Sequence, residues 1–179
     1  MKVKVKIIKT GYLEENCYIL IRENDVLVID PGDDYNKIKK ELSGYNVLGV
    51  LITHNHFDHV GALDELLNDY KVNCYDYSNL KEKEKRIGKF KFEVFYMPGH
   101  SKDSICFYFK DDKMLFSGDF IFKGTIGRCD LDGGSYFDMK KSLCKLNNFD
   151  MDTLIYPGHG ECAILGEEIS IYKSICENI

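Results

Sequence analysis

The order of the predicted elements is the feature that most constrains the fold of this chain. Strands come first, βα units follow, and further strands precede a last strand and helix. Glycine and proline stand at nearly every junction, without a linker between elements. This order predicts two sheets with helices outside them, and not one regular parallel sheet. Strands are predicted at about 3–9, 17–22, 26–29, 47–52, 72–75, 90–96, 105–109, 114–117 and 153–156, and helices at about 35–43, 60–69, 136–147 and 166–177.

Length and charge narrow the possible partners. The 179 residues predict a single domain over residues 1–179, long enough for a substantial core. The net charge of −5, without a basic field, argues against nucleic acid as a partner. No apolar run approaches the roughly 18 residues that span a bilayer, so no membrane partner is expected. The oligomeric state cannot be read from the sequence.

Cysteine usage and the amino terminus predict a location. The seven cysteines are odd in number and form no C-x-x-C pair, which is typical neither of a zinc ribbon nor of a disulfide framework. The opening MKVKVKII alternates lysine with apolar residues, as in an amphipathic strand, and lacks the apolar centre of a signal peptide. We therefore expect a reducing, cytoplasmic location.

Three of the five histidines fall within THNHFDH, directly after the apolar run VLGVLI. His54 and His56 are two apart, so in extended chain their side chains point to the same side, as the ligands of one metal would. Asp58 and His59 follow as the chain turns toward a helix. Four potential ligands in six residues are easier to explain with two neighbouring metals than with one.

The remaining candidates also follow strands. His100 and His159 each close a Pro-Gly-His tripeptide, and Asp119 follows the apolar strand of LFSGD. Taken singly, Asp58 would pass as a helix N-cap, and each histidine as a turn or strand-end residue. Taken together, these readings require all five histidines to reach strand-end loops by accident. The pattern therefore predicts a metal site.

The ordered set His54-x-His56-x-Asp58-His59, His100, Asp119 and His159 resembles the metallo-β-lactamase superfamily of metallohydrolases, as does VIDPG near the start. The resemblance covers nearly the whole chain. It implies an α/β protein of the α+β type, a four-layer αββα sandwich of two mixed sheets flanked by helices. It also implies two divalent metal ions, most simply zinc, with iron or manganese as alternatives. His54, His56 and His100 would hold the first ion; Asp58, His59 and His159 would hold the second, with Asp119 bridging.

The resemblance implies hydrolysis by a metal-acidified water that attacks a carbonyl. Asp119 and Asp58 are the candidate catalytic carboxylates: the first as the bridge, the second as a proton shuttle to the leaving group. Cys129 and Cys162 lie near the motif loops, and a core or incidental role is expected for them.

Within the superfamily, the chain is most similar to short, single-domain glyoxalase II-like thioester hydrolases. The segment FKGTIGRCD resembles a loop of that group, with Cys129 in place of threonine. Arg128 stands where the group places a basic residue, and would pair with a substrate carboxylate; alternatively it braces its loop through Asp130. The chain ends about twenty residues after His159, without room for the helical domain of two-domain members, and SKDS replaces the usual residues after His100.

The expected function is thus hydrolysis of a small-molecule thioester, S-lactoylglutathione or a related acyl thiol. Three alternatives stay open: a mononuclear iron persulfide dioxygenase-like oxidoreductase, a lactonase of the same fold, and a flavodiiron-like or metal-dependent binding protein without turnover. His56 stands where flavodiiron proteins usually have glutamate, which argues against the flavodiiron case.

Overall fold

The computed structural model describes residues 2–176, without the side chains of Ser174 and Cys176. It contains a five-stranded sheet in the order β1-β2-β3-β4-β5 and a six-stranded sheet in the order β13-β12-β9-β8-β7-β6. A small hairpin, β10-β11, stands apart. The strands are β1 (Lys4–Thr10), β2 (Glu15–Arg22), β3 (Asp25–Ile29), β4 (Asn46–Leu51), β5 (Cys74–Tyr75), β6 (Glu84–Ile87), β7 (Phe90–Tyr96), β8 (Ile105–Phe109), β9 (Met114–Gly118), β10 (Ile121–Phe122), β11 (Thr125–Ile126), β12 (Leu154–Pro157) and β13 (Ala163–Ile164). The helices are α1 (Tyr35–Leu42), α2 (Phe57–Val60), α3 (Leu63–Tyr70), α4 (Tyr136–Lys145) and α5 (Ile169–Cys176).

Both sheets are mixed. In the first, β1, β2 and β3 pair antiparallel, whereas β3, β4 and β5 run parallel. In the second, β9 and β12 run parallel and the other neighbours pair antiparallel. The predicted two-sheet architecture is therefore confirmed.

The alternation of side chains along the strands creates three apolar layers. On β2, Tyr18 and Leu20 face a central layer that also contains Phe107 and Phe116 of the other sheet. Ile19, between them, faces an outer layer with α1 and α3. A second outer layer joins the six-stranded sheet to α4 and α5. Full burial of a large apolar side chain stabilises the fold by roughly 1.5–3 kcal/mol, so these layers hold the αββα sandwich together.

Hydrogen bonds between the sheets fix one edge of the sandwich. The amide of Ile105 in the six-stranded sheet donates to the carbonyl of Thr53, which follows β4 (2.9 Å). The amide of Asn16 on β2 donates to the carbonyl of Gly158, which follows β12 (2.7 Å). The carboxyl ends of β3, β4, β7, β9 and β12 meet at this edge, and the candidate ligands follow four of these strands.

Several predicted elements differ from the observed ones. The helix predicted at 60–69 is observed as α3 (Leu63–Tyr70), preceded by the single turn α2 (Phe57–Val60); between them the backbone amide of Ala62 donates to the carbonyl of Pro31 (3.0 Å) instead of continuing a helix. The helix predicted at 166–177 begins as a 3₁₀ turn over Leu165–Glu168, and residue 177 lies outside the described residues. The short strands β6, β10, β11 and β13 were not predicted, because charged or very short segments carry little hydrophobic periodicity.

The cysteines differ from the expectation in one respect. Five of them carry free thiols, whereas Cys144 is disulfide-bonded, although the spacing gives no disulfide pattern. The free cysteines are Cys17, Cys74, Cys106, Cys129 and Cys162. Among residues 2–176, no helix is both long enough and apolar enough to cross a lipid bilayer.

Candidate active site

The structure brings all seven candidate ligands together at the edge where the two sheets are joined. They come from loops far apart in sequence, after β4, β7, β9 and β12 and in the first turn of α2. Their nitrogen and oxygen atoms converge in three overlapping groups: His54, His56 and His100; Asp58, His59 and His159; and, between these two, His54, His59 and Asp119.

The first group contains three imidazoles. Nδ1 of His56 lies 3.1 Å from Nε2 of His54 and 2.9 Å from Nε2 of His100. His54 and His100 are buried, and His56 opens toward solvent. Three imidazole nitrogens facing one point are the donor set of a transition metal such as zinc.

The second group contains Asp58, His59 and His159. Nε2 of His159 lies 3.1 Å from Oδ2 of Asp58, and Nε2 of His59 lies 3.9 Å from the same oxygen. Asp58 and His59 both belong to α2, whose single turn begins immediately after His56. The short helix thus turns the adjacent Asp58 and His59 toward the second group.

Asp119 lies between the two groups. Its Oδ1 atom is 3.4 Å from Nε2 of His59, and its Oδ2 atom is 3.6 Å from Nε2 of His100 and 3.7 Å from Nε2 of His159. One carboxylate therefore faces donors of both groups, as a bridging ligand would. Gly158 makes room for it, since a Cβ atom there would lie 2.2 Å from Oδ1 of Asp119 and 2.6 Å from Cε1 of His59.

Unpaired polar atoms in this site fit the binding of metal. Nε2 of His59 and Oδ1 of Asp119 are buried and have no hydrogen-bond partner within the described part of the chain. Buried polar atoms are normally satisfied, because leaving one unpaired costs about 1–3 kcal/mol. A ligand role satisfies both atoms, and the histidine and aspartate donors suit zinc, iron and manganese.

Hydrogen bonds behind the ligands orient the imidazoles. Nδ1 of His59 lies 3.0 Å from Oδ2 of buried Asp30, and Nδ1 of His54 lies 3.1 Å from the Thr53 hydroxyl. Nδ1 of His100 and of His159 face backbone carbonyls, those of Arg128 (2.9 Å) and Leu13 (3.2 Å). Such partners fix which ring nitrogen is free to bind metal.

The electrostatics of the two groups differ. Burial lowers the pKa of His54 well below its ordinary value, and the neighbouring histidines lower it further, so its imidazole is neutral. Burial acts in the same direction on His59, but Asp119 and Asp30 outweigh it and raise its pKa well above the ordinary value. Burial favours protonation of Asp119, yet the surrounding histidines lower its pKa. The second group therefore favours a positive charge at its centre, whether a proton or a metal ion.

A cleft of about 590 Å³ opens onto the ligands. Its walls include Arg128, whose Nε and Nη2 atoms donate to the two carboxylate oxygens of Asp130, each at 2.8 Å. Arg128 thus lies on the cleft and pairs with Asp130 at the same time. Cys129 also lies in this loop, and its thiol donates to the carbonyl of Gly127 (3.4 Å).

Sequence reasoning assigned no role to several of these residues. Asp30 ends the VID segment of β3 just as Asp119 ends the SGD segment of β9, and this parallel could have indicated it. Glu15 is also buried behind His59, and burial raises its pKa to about 9. Nothing in the sequence around Glu15, the first residue of β2, sets it apart from an ordinary polar residue.

Comparison with known proteins identifies the family. The sequence profile of a protein family described as the metallo-beta-lactamase superfamily matches residues 10–77 and 75–159. A Bacillus subtilis protein named "Probable metallo-hydrolase YqgX" is 33% identical, over 88% of this chain and 91% of its own length. A hydroxyacylglutathione hydrolase of Chromohalobacter salexigens is 34% identical over 82% of this chain, which spans 62% of that longer protein.

Comparison with solved structures leads to the same superfamily. The crystal structure of BLEG-1 B3 metallo-beta-lactamase superposes with a TM-score of 0.89 at 29% identity, covering 96% of this chain and 99% of that one. The crystal structure of TTHA1623 in a di-iron-bound form superposes with a TM-score of 0.83 at 30% identity, covering 91% and 96%. The fold and the resemblance predicted from the sequence are confirmed. This chain belongs to the metallo-β-lactamase superfamily.

Proposed function

We propose that this protein is a metal-dependent hydrolase that cleaves a thioester, S-lactoylglutathione or a related acyl thiol. The observation that carries the proposal is the pair of donor groups joined by Asp119. The relative named hydroxyacylglutathione hydrolase supports the substrate class.

We infer that the site holds two divalent ions, with zinc as the first expectation. His54, His56 and His100 would hold one, Asp58, His59 and His159 would hold the other, and Asp119 would serve as a ligand to both. When bound, such ions supply an acidified water as nucleophile and polarise a carbonyl oxygen.

The protein's own side chains then divide the remaining work. Asp58 lines the cleft. Burial raises its pKa, but the hydrogen bond with His159 and the charges of His59 and His159 together lower it below the ordinary value, so Asp58 is an ionised carboxylate and our candidate to carry a proton to the leaving group. A thiol leaving group has a pKa near 8.5, so it departs with little help from a strong acid. Burial raises the pKa of the Cys129 and Cys162 thiols, which makes both poor nucleophiles and fits a mechanism without a covalent intermediate.

An iron-dependent oxidoreductase is the second candidate. One observation favours it: TTHA1623, at 30% identity, is described in a di-iron-bound form. Against the mononuclear dioxygenase, Asp58, His59 and His159 form a second donor group beside the three imidazoles. Oxygen consumption with persulfide, together with a single iron per chain, would replace the hydrolase proposal.

The first experiment measures metal content and S-lactoylglutathione hydrolysis on protein purified without added metal. We expect nearly two metals per chain with turnover, and Asp119→Asn is expected to lose at least one metal equivalent and most activity. Asp132→Asn, on the wall of the same cleft, is the matched control and retains the metal. Full metal content and normal turnover in Asp119→Asn would contradict the site as proposed.

We further propose that residues 1–179 form one domain and that the protein works in the cytoplasm. Five free cysteines support a reducing compartment, while the disulfide at Cys144 argues the other way. Fractionation with thiol labelling of intact cells tests this location.

A further inference from the structure

Large apolar side chains are exposed around the metal cleft. Leu13, Phe57 and Leu131 all line it, with 44%, 64% and 40% of their surfaces exposed. Single exposed apolar residues are ordinary on protein surfaces, but several around one cleft indicate a binding surface. We call Leu13, Phe57 and Leu131 the apolar rim.

The rim residues come from three separate segments near the candidate ligands: two loops and the first residue of α2. Leu13 lies in the turn between β1 and β2, and its carbonyl faces Nδ1 of His159 at 3.2 Å. Phe57 stands between the ligands His56 and Asp58. The carbonyl of Leu131 accepts a hydrogen bond from the amide of Gly134 (2.8 Å), which closes the loop after β11. The rim is therefore held at a fixed position beside the ligands.

The apolar surface continues into a second, smaller cleft. This side cleft of about 240 Å³ shares Leu13, Phe57 and Asp58 with the main cleft. Tyr12 forms part of its wall and stacks with Phe57, with ring centroids 6.5 Å apart and planes inclined by 20°. A substrate carbonyl near Asp58 thus has apolar surface leading away from it.

Away from the candidate metal ligands, positive charge on the two cleft walls is scarce. Arg128 is the only lysine or arginine among the described residues that line them, and two of its donors already contact Asp130. Asp132 lines the main cleft and Asp33 the side cleft, and both add acidic groups. The walls therefore complement an apolar group better than one that carries carboxylates.

We propose that the apolar rim binds an apolar substituent next to the scissile carbonyl, and that it makes this protein selective for thioesters with such a group. The proposal rests on the proposed thioester hydrolysis and names its substrate class. Phe57 and Leu131 flank the main cleft, and Leu13 leads to the side cleft. The apolar group belongs either to the acyl part or to the thiol part of the substrate.

The first test measures kcat/KM of the metal-loaded protein with two series of thioesters. One varies the acyl chain on N-acetylcysteamine from acetyl to butanoyl to hexanoyl; the other keeps acetyl and varies the alkanethiol from ethyl to hexyl. Burial of a methylene group is worth roughly a factor of 2 to 4, so we expect kcat/KM to rise by about that factor per methylene in one series. The series that rises identifies the part of the substrate that contacts the rim.

Two rim variants and one matched control complete the test. Leu131→Ser and Leu13→Ser are expected to flatten the dependence on chain length, with unchanged metal content. Ile164→Ser is the control, because Ile164 is also 40% exposed but does not line either cleft. A flat wild-type series, or one that the rim variants do not alter, overturns the proposal while leaving hydrolysis intact.

A binding measurement separates failure of the rim from failure of the proposed function. Calorimetry compares non-hydrolysable S-hexyl and S-methyl thioethers of N-acetylcysteamine on the metal-loaded protein. We expect the S-hexyl compound to bind at least about 10-fold more tightly, and Leu131→Ser to remove most of the difference. That result without any thioester turnover would retain the apolar site and reject thioester hydrolysis; equal binding would reject the apolar site.

Discussion

Asp103 accepts two hydrogen bonds from Asn55 with one oxygen, from the backbone amide at 3.0 Å and from the side-chain amide at 2.8 Å. Asn55 lies between the candidate ligands His54 and His56, whereas Asp103 follows the candidate ligand His100. The contact therefore joins the two loops that supply the first donor group. Because it fixes both loops relative to each other, it holds the three imidazole nitrogens together before a metal arrives.

Replacing Asp103 should weaken metal binding by the first donor group. We expect Asp103→Ala to lower the metal affinity of this group by on the order of 10-fold, as is usual when a supporting hydrogen bond behind metal ligands is lost. The affinity is measured by titrating the metal-free protein with Co²⁺ and recording the visible absorption of the bound ion. In Asp103→Ala the absorption of Co²⁺ bound to the first donor group should change. Asp103→Asn, which keeps an acceptor oxygen, should restore most of the affinity. The control is Asp111→Ala, on an exposed turn away from the ligands; equal behaviour of Asp103→Ala and Asp111→Ala would contradict this role.

Asp30 should matter for both stability and metal binding. Its carboxylate accepts from the Thr53 amide (2.7 Å) and hydroxyl (2.6 Å) and faces Nδ1 of His59 (3.0 Å), all of them buried. In Asp30→Asn an NH₂ group replaces one carboxylate oxygen, so at least one of these three donors faces another donor and loses its acceptor. The variant is therefore expected to lower the free energy of unfolding by about 1–3 kcal/mol. Asp30→Asn should also weaken metal binding by the second donor group by about 10- to 100-fold. Urea unfolding of the metal-free protein and metal titration measure the two effects.

The matched control for Asp30 lies three positions further along the same loop. Asp33 is exposed, and Asp33→Asn is expected to change neither quantity appreciably. If Asp30→Asn behaved like Asp33→Asn, the carboxylate would have no part in orienting His59.

Features that depend on residues close together in the sequence were predictable, whereas features that depend on residues far apart in the sequence were not. The apolar strands and the strand-end position of His54 or Asp119 are local features, so the two-sheet fold and the candidate ligands were accessible from the sequence. The contact between Asn55 and Asp103 joins residues 48 positions apart through ordinary polar side chains, and no local pattern encodes it. Superfamily membership supplied the division of the ligands into two groups, which spacing alone left open.

The same distinction explains the misplaced elements. The segment that forms β6 is rich in charge because it is an edge strand, and its pairing with β7 depends on the neighbouring strand and not on its own pattern. At the break between α2 and α3 the amide of Ala62 donates to the carbonyl of Pro31, a tertiary contact. Local periodicity predicts an element only where that element's own side chains determine it.

Gly118 should tolerate no side chain. Its φ angle is +51°, and a Cβ atom would lie 2.4 Å from Oγ1 and 2.7 Å from Cβ of Thr53. Gly118→Ala is therefore expected to lower the free energy of unfolding through backbone strain and to displace Thr53 from Asp30. Gly124 is the matched control, because its φ angle is +78° but nothing lies within 4 Å of its Cβ position. Gly124→Ala should cost about 1–2 kcal/mol, and Gly118→Ala should cost about 1–3 kcal/mol more. Urea unfolding of the metal-free variants measures both, and equal costs would show that the contact with Thr53 is unimportant.

Arg128 either binds a substrate carboxylate or braces its own loop, and replacing Arg128 or its partner Asp130 distinguishes these two roles. If its guanidinium binds a substrate carboxylate, Arg128→Ala should raise the KM for S-lactoylglutathione, on the order of 10-fold, because a charge-assisted hydrogen bond is lost. Asp130→Ala should then leave that KM unchanged or lower it, since it frees the two donors now directed at Asp130. If the pair only braces its loop, both variants remove the same two bonds and should change kinetics and unfolding in the same direction. Steady-state kinetics on both variants, with metal content measured in parallel, distinguish the cases: a KM raised in Arg128→Ala but not in Asp130→Ala assigns Arg128 to the substrate, and parallel shifts in both variants assign it to the loop.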